Sequence, residues 1–249
     1  MYHSTCTIID VIPDDSFARC KQCKAVVKST DAVLDALRVG QAALDKATAL
    51  QFTGVILEFA SSLTTKPYST ADPAKARQLT TNLIPILTST GLTPSAHPLL
   101  ALTRLHQSLL ISSLPLPLTQ ESLDEAVRAA TRSTTGVSAV LQKGHPVRSV
   151  AITELGKLLA VDEPEPRQST SAVEAALIYP PTGPARLNLA FETLVRARDE
   201  LLIGFGTMNG GGQVGKEVRE IIVSLEKELG AWKQGVRNVL EDMPRKLRH

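Results

Sequence analysis

From Ser29 onward, apolar residues recur at helical steps, and proline or glycine repeatedly interrupts the pattern. That alternation limits the chain to helices joined by short breaks. Val33, Leu34, Leu37, Leu44 and Ala47 form the first stripe. A second helix is expected over about Thr53 to Leu63, before the Thr64–Tyr68 turn. Asp72-Pro73, His97-Pro98 and His145-Pro146 each place proline in a first helical turn, where its missing N–H costs nothing. Leu79, Leu83, Ile86 and Leu87 mark the helix after Asp72, with Pro85 expected to kink it. Thr119-Gln120-Glu121-Ser122 opens another helix, expected to reach about Lys143. Ala185–Phe205 and Val214 to about Leu240 read as two long helices around the turn Asn209-Gly210-Gly211-Gly212. The polar stretch from Asp162 to Thr170 reads as a loop.

The expected fold is all-α: about eight helices in antiparallel pairs, forming a tetratricopeptide-like α-solenoid or a closed bundle. Aromatics make up 4% of the residues, so Leu, Ala and Val must fill the core, which suits close helix packing better than a β-sandwich.

Residues 1–28 differ from the rest. They hold all three cysteines, and the runs Thr7-Ile8-Ile9 and Val26-Val27 read as short strands flanking a Pro13-Asp14-Asp15 turn. The expected division is a cysteine-rich segment over 1–28 and a helical domain over 29–249. His3 and Cys6 are spaced H-x2-C, Cys20 and Cys23 are spaced C-x2-C, and 13 residues separate the pairs. Two close pairs on two turns can supply the four ligands of tetrahedral zinc. The alternative is a degenerate knuckle without metal. A thioredoxin-like redox pair is not expected, because no βαβ pattern follows.

A net charge of +2 argues for neither nucleic acid nor a membrane surface as partner. No apolar run reaches the roughly 20 residues that span a bilayer, and the first residues lack a signal-peptide pattern. A cytoplasmic or nuclear location is expected.

No catalytic site is legible. Gly204, Gly206 and Gly210 miss the dinucleotide spacing, and Gly210 to Lys216 has Walker spacing with Glu217 where a hydroxyl should follow. His97 and His145, each before a proline, fit caps, and His106 on the Leu-rich helix fits a satisfied or exposed helical residue. The carboxylates read as solvated polar faces.

Gly144-His145-Pro146-Val147-Arg148-Ser149-Val150, followed by Leu155-Gly156-Lys157-Leu158, resembles a stretch of the SET-and-MYND-domain (SMYD-type) lysine methyltransferases. Leu189-Ala190-Phe191 and Arg196-Ala197 resemble a later helix of that family, and Cys20-Lys21-Gln22-Cys23 resembles its post-SET zinc segment. The resemblance implies the helical, tetratricopeptide-like C-terminal domain, which in the family packs on the SET core, with a concave surface for a protein or peptide partner. The S-adenosylmethionine site would belong to a SET core these residues lack: no Asn is followed by His, and the glycine-rich cofactor strand, the catalytic Tyr motif and the seven-Cys MYND finger are absent. Ala18 stands where the family's first zinc-segment cysteine is expected. The chain is expected to be the C-terminal part of such an enzyme, as a truncated product or a fragment. An independent helical-repeat adaptor with a zinc knuckle, unrelated to methylation, is the other reading.

Overall fold

The computed structural model describes residues 9–11, 17–20, 26–28, 31–60, 72–164 and 179–242, with side chains placed over 35–50, 72–164 and 179–235. Among them are seven helices and three short strands: β1 (Ile9–Val11), β2 (Phe17–Cys20), β3 (Val26–Lys28), α1 (Asp31–Ala60), α2 (Pro73–Ser89), α3 (His97–Ser112), α4 (Gln120–Val140), α5 (Pro146–Leu159), α6 (Gly183–Phe205) and α7 (Gly212–Asp242). Among the described residues the fold is all-α apart from the small sheet. That sheet is an antiparallel meander in the order β1-β2-β3. Ile9 pairs with Cys20, and Phe17 pairs with Lys28.

One expected boundary is absent. The separate helix over Thr53–Leu63 is instead the second half of α1, which runs unbroken for 30 residues. Nothing between Ala47 and Thr53 stops a helix, and Gly54 alone costs only about 1 kcal/mol against alanine. The proline-marked starts fall where the sequence puts them. Asp72 caps α2 by accepting the Lys75 N–H at 3.0 Å. The hydrogen bond from the Lys75 ammonium, and then this backbone contact, hold the Asp72 carboxyl below its usual range. Helix α2 runs on through Pro85. Thr119 and Ser122 cap α4 reciprocally, each side-chain oxygen accepting the other's backbone N–H at 3.3 Å. Helix α4 stops at Val140, short of the expected Lys143.

The chain divides into two compact units, with α4 contributing to both: Met1–Leu114 with Ala129–Leu141, and Pro115–Arg128 with Gln142–His249. The first unit buries Ala36, Ala43 and Ala47 of α1 against Ile84 and Leu87 of α2 and Leu99 and Leu102 of α3. Small alanines on α1 let the helices approach closely. In the second unit, α6 buries Arg186, Ala190, Leu194, Ala197 and Leu201 along one stripe. Helix α5 lies antiparallel to it, since Arg148 meets Glu200 near one end and Leu159 meets Arg186 near the other. The glycine turn 206–212 folds α7 back, and its valine and leucine stripe (Val218, Leu225, Leu229) is buried.

Candidate functional site

The segment with the family resemblance makes several contacts within the second unit. Gly144 takes φ +80°, and a Cβ there would overlap Cγ2 of Ile203. Opposite it, a Cβ on Gly204 would overlap the Gly144 carbonyl oxygen. The two glycines therefore let the start of α5 touch the end of α6 backbone to backbone. His145 caps α5, its Nδ1 accepting the Val147 N–H at 3.2 Å. Acceptance at Nδ1 leaves the ring proton of a neutral imidazole on Nε2.

Arg148 follows one turn on and is 7% exposed. Its Nη2 donates to Oε1 of Glu200 at 2.9 Å, and its Nε lies 2.8 Å from Oε2. Arg196, half exposed, reaches the same carboxylate at 3.4 Å. Further along α5, Leu155 is buried, and a Cβ on Gly156 would come within 2.6 Å of Leu194 Cδ2. Lys157 donates to Glu217 of α7 at 2.6 Å.

The last carbonyls of α5 meet Arg186, which is 1% exposed. Its Nε donates to the Leu159 carbonyl and its Nη2 to the Leu158 carbonyl, both at 3.1 Å. Its Nη1 lies 3.3 Å from Oδ1 of Asp124, which is fully buried and also accepts from Gln120 at 2.8 Å. One guanidinium thus closes a helix C-terminus, where the dipole favours a cation, and bonds to α4.

Asp124 and Glu200 correct the expectation that the carboxylates sit on solvated faces. Both are interior, and both face arginines. The sequence did hold a signal for Arg186: it stands four residues before Ala190, in phase with the buried α6 stripe. Charge in phase with an apolar stripe marks a buried pair, but it does not identify the partner.

The remaining candidates have ordinary structural roles. His106 is buried, with Nδ1 2.9 Å from Thr80 Oγ1. His97 does not cap α3 as expected: Ala96 is the N-cap, without a side-chain bond, and His97 is the exposed first helical residue, lining an open cavity of about 630 Å³ with Leu37, Arg38, Gln41 and Pro98. There, Arg38 faces Asp35 and Gln41 bonds Asp45. In the glycine near-miss, the Gly210 carbonyl accepts from Arg219, and Gly210–Gly212 have positive φ, so the segment is a turn into α7. Among the zinc candidates, His3, Cys6 and Cys23 lie outside the described residues, and Cys20 is described only as strand backbone. Among the described residues, no three His, Cys, Asp or Glu side chains are placed to share a metal ion. Likewise, no described helix is long and apolar enough to cross a membrane.

The Glu217 carboxyl is held below its usual range, first by the Lys157 hydrogen bond and then by the Lys157 charge. A depressed folded-state value means the contact stabilises above the ordinary value of 4.5 and is lost as pH falls below it. Lys157→Met is expected to move the Glu217 titration, followed by NMR, back up toward the ordinary carboxylate range. An unmoved titration would show that the contact does not form in solution.

No family model matches the chain, and no curated protein matches it.

Proposed function

We propose that this chain is a non-catalytic protein-interaction scaffold, of the kind the tetratricopeptide-like C-terminal domain provides in SMYD-type lysine methyltransferases. The observation that carries the reading is the use made of residues 144–159. Gly144, His145, Arg148, Gly156 and Lys157 are engaged in a backbone contact, a cap, a buried ion pair, a side-chain fit and a surface ion pair. These groups hold helices together, which is what a scaffold requires of them. A protein or peptide partner on the helical surface, in the cytoplasm or nucleus, completes the reading.

The cysteine-rich segment would hold zinc through His3, Cys6, Cys20 and Cys23. In its support, Cys20 pairs with Ile9 in the β1–β2 ladder. In the sequence, Cys6 precedes Ile9 by three residues and Cys23 follows Cys20 by three. The donor set, three thiols and an imidazole, suits structural zinc. Native mass spectrometry of zinc-supplemented protein is expected to show one bound zinc, lost in Cys20→Ser/Cys23→Ser. The metal-free mass alone would make the segment a relic.

The scaffold reading is tested by incubating the purified chain with labelled S-adenosylmethionine and histone or total-protein acceptors. No label transfer above blank is expected. Incorporation that depends on the chain would overturn the proposal.

A further inference from the structure

The chain-wide charge of +2 conceals a local asymmetry at the glycine-turn end of the second unit. Between Leu201 and Gly215 there is no charged residue at all, in a chain that is 21% charged. Apolar side chains there face outward: Ile203 is 67% exposed, Phe205 40% and Met208 98%. The start of α5 belongs to the same end, because Gly144 touches Ile203 and Gly204, and Val147 is exposed beside it. No acidic residue occurs between Leu141 and Thr153 or between Leu201 and Lys216. Two exposed lysines, Lys143 and Lys216, flank the apolar tip in sequence, one beside Gly144 and the other the fifth residue of α7. The nearby Arg148 and Arg219 are engaged, with Glu200 and the Gly210 carbonyl.

We infer that this tip docks on an anionic lipid surface, with Ile203, Phe205 and Met208 entering the headgroup–acyl boundary and Lys143 and Lys216 resting on the headgroups. An exposed apolar tip flanked by lysines, with the bordering acids Glu200 and Glu217 paired to Arg148 and Lys157, suits interfacial binding. Charge complementarity selects an anionic surface. The protrusion selects lipid over a bound peptide, since a side chain as exposed as Met208 lines no groove. The contact is peripheral and leaves every helix outside the bilayer core. It does not depend on the scaffold reading, because vesicles contain no protein partner.

The test is co-sedimentation of the full chain with phosphatidylcholine vesicles and with phosphatidylcholine–phosphatidylserine vesicles. Binding is expected to the mixed vesicles only, and to fall as salt is raised. Met208→Asp and Lys143→Glu/Lys216→Glu are each expected to weaken it about tenfold or more, with unchanged helical circular dichroism, as these side chains are exposed. Failure of the wild-type chain to sediment with mixed vesicles would overturn the inference and leave the tip to an acidic protein surface. Binding that survives Met208→Asp would overturn it as well.

Discussion

Replacing Arg186 by methionine is expected to destabilise the second unit by about 3–5 kcal/mol, because it leaves a carboxylate in the interior without its cation. Asp124 is fully buried, and Arg186 is 1% exposed. The same change withdraws the donors from the Leu158 and Leu159 carbonyls at the end of α5. Unsatisfied buried acceptors add their own cost, on the order of 1–3 kcal/mol if water does not replace the donor. The pair itself need not be strongly favourable, since desolvation offsets most of its Coulomb energy. Adding Asp124→Leu to Arg186→Met should therefore restore the part due to the orphaned carboxylate and leave the cost of the Leu158 and Leu159 carbonyls. Urea unfolding followed by circular dichroism measures all three proteins. A single substitution costing under about 1 kcal/mol would show that water reaches the pair.

The second large effect comes from a methyl group. Gly204 is the last but one residue of α6 and has ordinary helical conformation, so local propensity alone says that alanine should be neutral or stabilising, by at most about 1 kcal/mol. The added Cβ would overlap the backbone carbonyl of Gly144, which is not a flexible side-chain end that can swing aside. The start of α5 must move away from α6, and overpacking of this kind costs about 1–3 kcal/mol. The sign of the change therefore reports the contact. Gly230→Ala on α7 is the matched control, since nothing lies within 4 Å of the new Cβ. It is expected to be neutral or stabilising by up to about 1 kcal/mol. If Gly204→Ala stabilises as Gly230→Ala does, the close approach at Gly144 does not exist.

These substitutions also mark which parts of the structure could be read in the sequence. Helix starts were legible wherever proline follows a capping residue, as at Asp72 and His145, because those signals act within one turn. Two strands of the first 28 residues were legible in the β-branched runs at Ile9 and Val26-Val27, but β2 (Phe17–Cys20), which holds no β-branched residue, was not. The continuity of α1 was not, since its apolar pattern weakens around Gln51 without any stop residue. Nor were the buried pairs: Arg148 and Glu200 lie 52 residues apart, and Arg186 and Asp124 lie 62 apart. Spacing within one helix cannot encode a partner on another. The distinctive segment from Gly144 to Leu158 was legible as a motif, but its use became clear only from what it touches. Each of its marked residues meets α6, α7 or its own helix end.

If residues 144–159 act through packing, as proposed, the scaffold needs no cofactor site. Calorimetric titration with S-adenosylmethionine tests this most directly, because no methyl acceptor has to be guessed. No saturable heat is expected up to millimolar ligand, and the unfolding midpoint is expected to stay unchanged with ligand present. A saturable isotherm at micromolar affinity, with a raised midpoint, would contradict it.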